Sequence, residues 1–138
     1  MSARTLHWSE SDVAWHGIVD AGHGVPFRTQ VFIFHTHAQL SAACGHPDAN
    51  GWSQTFNEPD ADNVGALVFL VKTELWVSII AHEAAHIALF HHGRQIDGRI
   101  GARKWAREHP EELAVMIGNL TSLIWCGVPV FNEGEAQA

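Results

Sequence analysis

The sequence predicts an α+β domain in which a small sheet packs on a central helix and on a second, C-terminal helix. Three observations carry that prediction. Residues 30–34 (QVFIF) and 65–71 (GALVFLV) are short, continuously apolar runs rich in β-branched and aromatic side chains, the pattern of strands buried on both faces. Residues 75–90 (LWVSIIAHEAAHIALF) form an apolar stretch too long for a typical strand and flanked by helix signals. A later segment opens on Pro110, Glu111 and Glu112 and stays apolar to about Trp125, as expected of a helix with proline at its first position and acids in its first turn.

The remaining elements follow in chain order. Ser9 with Asp12 predicts the start of a short helix carrying Trp15 and Ile18, weakened by Gly17. Residues 38–44 read as a short helix closed by Gly45. Residues 45–63, dense in Gly, Pro, Asn and Asp, read as a surface loop. Thr73 is the expected N-cap of the main helix, with Glu74 at the positive end of its dipole and Gly93 just past its end. Residues 94–109 connect the two helices, and the tail 132–138 reads as loose.

A chain of 138 residues with 46% hydrophobic content fits one domain (1–138, core about 27–127) able to bury a core without disulfides. Its only cysteines, Cys44 and Cys126, make no CxxC pair and read as reduced, buried thiols. No apolar run reaches the roughly 18 residues that span a bilayer, and the first residues lack a signal core, so a cytoplasmic protein without membrane contact is expected. Net charge is −7, yet Arg94, Arg99, Arg103, Lys104 and Arg107 cluster with a single acid, Asp97. That segment carries +4 and the remainder −11, an acidic body that argues against nucleic-acid binding.

His82, Glu83 and His86 form an HExxH motif inside the apolar stretch. Histidines four apart on a helix lie on one face, so both can ligate one zinc ion, with the glutamate placed as a base toward water that the metal activates. Zinc in such a site wants a third protein ligand and an open position. Glu111 and Glu112 are the candidates. Glu111 shares its helix side with Ala114, Val115, Gly118 and Ser122, a small-residue stripe suited to close packing on Ala81, Ala84, Ala85 and Ala88, which favours it over Glu112. Peptide hydrolysis also needs a donor for the developing oxyanion. The chain has no tyrosine, leaving His91, His92 or Arg94 as candidates, each equally explained as a group at a helix C-terminus.

The stretches AHEAAHIAL and EELAVMIGNL resemble the small gluzincin-type zincin metalloproteases, and more narrowly the compact zincin-like proteins of bacteriophage genomes. The resemblance covers about residues 64–125. It implies a minimal zincin-like fold, Zn2+ held by His82, His86 and Glu111, Glu83 as the base, a protein or peptide substrate, and a phage origin, hence host cytoplasm or virion. The alternative is a non-catalytic zincin-like module that keeps the metal and acts by binding protein, as in virion assembly.

A second constellation competes. His35, His37 and Asp48 resemble the HxH…D zinc site of JAMM-type isopeptidases, but Ala38 and Gly45 stand where that family has proline and serine. A milder reading places His35 or His37 beside the substrate cleft. His7, His16, His23 and His46 receive no role. Trp76 and Trp125 read as core; Trp52, in the long loop, reads first as a packing anchor, with peptide contact as the alternative.

Overall fold

The computed structural model describes residues 9–20, 25–95, 110–129 and 131, with only the backbone of 94, 95 and 110. Its elements are β1 (Val13–Val19), β2 (Arg28–Phe34), α1 (His37–Cys44), β3 (Trp52–Thr55), β4 (Val64–Val71), α2 (Val77–Gln95) and α3 (Pro110–Gly127). The class is α+β. One mixed sheet has strand order β1-β2-β4-β3. β2 and β4 run parallel at its centre, and β1 and β3 flank them antiparallel.

The two central strands are buried on both faces, which explains their unbroken apolar runs. Val31, Ile33, Ala66, Val68 and Leu70 meet α2 and α3, through Ile80, Ala84, Ile87, Ala88, Met116, Leu120 and Ile124. The alternate residues Phe32, Phe34, Leu67, Phe69 and Val71 meet α1 through Leu40 and Ala43. Phe69 is 1% exposed and takes the rings of Phe32 and Phe34 edge-on, each at 5.4 Å between centroids. The helix expected at 38–44 is α1. Thr36 caps it, exchanging hydrogen bonds with Gln39, and Gly45 ends it at φ 79°, a left-handed conformation that favours glycine.

Four expectations are corrected. The predicted N-terminal helix is a single 3₁₀ turn (Glu10–Asp12) followed by a strand, because Val13–Val19 finds β2 as a partner. Within the expected 45–63 loop lies β3, four residues templated by β4. The main helix starts later and ends later than its cap signals indicate. Thr73 lies in a 3₁₀ turn (Lys72–Glu74), and the helix runs through Gly93 to Gln95. Glu74 pairs with His37 (3.0 Å) across the start of α1, outside the α2 first turn where a dipole partner would sit. Finally, Trp76 and Trp125 are 59% and 48% exposed, Cys126 is exposed and Cys44 half-buried, so none of these four belongs to the core. The 96–109 connector and the tail lie outside the described residues. Among the described residues no helix is long and apolar enough to cross a membrane.

Phe69→Ala is expected to lower unfolding free energy by about 3–5 kcal/mol, measured by urea denaturation, since it empties the contact between two aromatic neighbours and α1. A loss below about 1 kcal/mol would mean that the α1 face contributes little to stability.

Candidate metal centre

Helix α2 seats Ile80, Ala84, Ile87 and Ala88 on the sheet, each fully buried. At 100° per residue that phase turns His82, His86 and Phe90 together toward a different side, one above another. There they line an open cleft of about 640 Å³. Glu83 falls on the flank between the two faces and is only 6% exposed. The opposite wall is made by the segment between α1 and β3, with His46, Asp48 and Gly51, and by Trp52, Ser53 and Thr55 of β3.

The two imidazoles converge. His82 Nε2 and His86 Nε2 are 3.1 Å apart, with the rings at 78°. Two nitrogens sharing a tetrahedral zinc at 2.0–2.1 Å stand about 3.3 Å from one another. The pair therefore has the spacing of two ligands of one metal, and without a metal it has the spacing of one shared proton. Both imidazoles are exposed, although the apolar surroundings in sequence had pointed to buried ones; only Glu83 is buried. A buried carboxylate is costly unless something compensates it, which singles Glu83 out among the described acids.

The cleft wall fits closely over that carboxylate. A Cβ placed on Gly51 would stand 3.1 Å from Glu83 Oε2 and 3.0 Å from Ile79 Cγ2. Glycine at 51 lets the segment entering β3 approach Glu83.

Glu111 is placed differently from expectation. Glu111 and Glu112 are both exposed in the first turn of α3. The stripe through Ala114, Val115, Gly118 and Ser122 faces away from the core; Val115 is 46% exposed, and a Cβ on Gly118 would touch nothing within 4 Å. The alanines of α2 receive large side chains instead, Met116, Leu120 and Ile124. The physical reason is area: large residues set against alanines bury far more apolar surface than small against small. Glu111 lies half a helical turn from that packed face, and Glu112 is nearer to it in phase. Among the described residues no third His, Cys, Asp or Glu joins His82 and His86 as a metal-holding group.

The JAMM-like trio is not brought together. His37 pairs with Glu74, whereas Asp48 lines the α2 cleft without His35 or His37. The expected oxyanion donors also sit elsewhere. His91 stacks on Phe27 at 4.0 Å with Nε2 3.3 Å from the Gly65 carbonyl oxygen, and His92 is buried, so neither lines the cleft. The Arg94 side chain lies outside the described structure. His46, given no role from sequence, does line the cleft, and Trp52 reaches it from a strand and not from a loop. No local signal marks His46, because only the position of β3 brings it opposite α2.

Compared with known protein families, curated proteins and solved structures, the chain matches none.

Gly51→Val is expected to destabilise the fold by about 1–3 kcal/mol through overpacking on Ile79 and Glu83. Adding Glu83→Ala should recover part of that loss, a coupling of about 0.5–3 kcal/mol in a double-mutant cycle of urea denaturation. Strictly additive effects would place the Gly51 backbone away from the carboxylate.

Proposed function

We propose that the chain is a zinc-dependent peptidase of minimal zincin-like type, in which His82 and His86 hold the metal and Glu83 is the general base. The observation that carries this reading is the 3.1 Å approach of the two Nε2 atoms on a cleft wall, next to a buried glutamate. Zinc bound there would supply Lewis acidity, activating water and polarising a substrate carbonyl. Glu83 takes up a proton from the attacking water and returns it to the leaving amine, so that water and amide become acid and amine. Burial of Glu83 limits the bulk water that could compete for that proton.

An extended peptide is the substrate the cleft suits. β3 ends the strand order, so its outer edge has no strand partner among the described residues. Backbone groups on such an edge bind an extended chain by strand addition. Trp52, Ser53 and Thr55 line the same cleft as the histidines, so a chain laid along β3 runs past them.

A second reading keeps the cleft but not the hydrolysis: the β3 edge, which has no strand partner among the described residues, also suits a module that binds protein, as in virion assembly. Glu83→Gln separates the two readings, as it leaves the metal site intact. In a peptidase it should keep zinc and lower peptide hydrolysis by about 10²–10⁴-fold. Unchanged biological activity in that variant would support the binding module.

Elemental analysis of the purified chain should find one zinc, lost in both His82→Ala and His86→Ala. Equal zinc in those variants and the parent would end the assignment. Chelation should lower stability by mass action, about 2.7 kcal/mol when free zinc stands at 100 times its Kd. Alanine at Glu111 and at Glu112, one at a time, tests the two acids expected as third ligand: a drop in zinc affinity would assign the ligand to that residue, and unchanged affinity in both would remove them.

A further inference from the structure

Strand β1 ends the sheet on the side away from the cleft, so its outer edge has no strand partner among the described residues. A row of open backbone N–H and C=O groups is a template for another extended chain. Folded proteins blunt such an edge with a charged side chain, a proline, a bulge or a very short strand. β1 (VAWHGIV) holds no lysine, arginine, aspartate, glutamate or proline, and its 7 residues exceed the 4 of β3 at the other end. A bulge does break the register against β2, but only between Val13 and Trp15. From Trp15 to Val19 the pairing is regular, and the middle of that segment is Gly17.

Charge identifies the occupant. The chain carries a net −7, so two copies repel one another wherever acids face acids. β1 has no charged side chain except when His16 is protonated. Helix α3 closes on the end of β1, where a Cβ on Gly127 would stand 2.9 Å from Val19 Cγ2, and it carries no charge from Leu113 to Gly127. Asp20, which follows β1, is paired with Arg28 at 3.3 Å. This side gives a charged partner nothing to bind, and it is where a second acidic copy meets least repulsion.

The side chains also fit a two-fold axis. Pairing β1 with itself about His16 would set Asp12 opposite Asp20, like charges that disfavour the register. Pairing about Gly17 sets Asp20 opposite Ala14 instead. It places Trp15 against Val19, an aromatic with a β-branched side chain, and His16 against Ile18, which is 40% exposed in the single chain. The two glycines meet at the axis, with no side chain to hold the strands apart.

We infer that the chain forms a two-fold homodimer by antiparallel addition of β1 to β1 about Gly17, joining two four-stranded sheets into one. β3 then stands at both outer ends, so each cleft faces away from the contact. The inference does not depend on the peptidase reading.

Sedimentation equilibrium of the full chain should show a mass that rises from one chain to two with concentration. Ile18→Lys adds a charge at an exposed position and should weaken the dimer about tenfold or more, with the far-ultraviolet circular dichroism unchanged. A cross-link tests the register. In a Cys44→Ser, Cys126→Ser background, His16→Cys combined with Ile18→Cys should give a covalent dimer on oxidation, because the two positions stand opposite one another across the axis. Either new cysteine alone should not. The cross-link decides even where Ile18→Lys fails to fold. A chain that stays monomeric at every concentration overturns the inference. So does a dimer whose affinity Ile18→Lys leaves unchanged, since the contact would then lie elsewhere. Absence of the cross-link in the double variant, or its presence in either single one, overturns it as well.

Discussion

The seat of α2 on the sheet is the constraint from which the rest follows. Ile80, Ala84, Ile87 and Ala88 are completely buried in the cluster that joins α2 to β2 and β4. Helix geometry then leaves no freedom to the motif. His82 and His86 are turned to the cleft, Glu83 is held on the flank, and Phe90 extends the same stripe by a turn. The chemistry is therefore fixed by hydrophobic packing, and the imidazoles need no support of their own to converge.

The opposite wall is built with less. β3 has four residues and pairs with β4 alone, in register from Trp52↔Phe69 to Thr55↔Ala66. Its position depends on the apolar β4, which would form without it. Two small features bring this wall into use: the left-handed turn at Gly45, and the absence of a side chain at Gly51, which lets backbone close over Glu83. A rigid wall bearing His82 and His86 thus faces a lightly held wall bearing the β3 edge. That division suits a site that must fix its chemistry while admitting an extended chain.

Much of this was legible in residues taken in order. QVFIF and GALVFLV read as buried strands because burial on both faces leaves no room for polar residues, and both are strands. Gly45 read as the end of α1 because glycine tolerates the left-handed turn found there. Illegible features share one cause. WSQT is only four residues long and is flanked by Gly, Pro, Asn and Asp, so it becomes a strand only against β4. VAWHGIV carries enough helix-like spacing to mislead until β2 is beside it. The outward turn of Glu111 depends on which side of α3 meets α2, and a helix with apolar residues around most of its circumference does not declare that side.

By itself, the sequence determined the α+β class, the two central strands, the two long helices and the placement of His82, Glu83 and His86 one helical turn apart, because periodicity and propensity are local properties of the chain. Only the tertiary structure decided that β3 forms an edge, that Glu83 is buried while both histidines are exposed, that Glu111 faces away from the packed helix face, and that His46 stands across the cleft. Each of these depends on which surfaces meet, and the area gained when large side chains close on small ones is a property of pairs of elements rather than of any one segment.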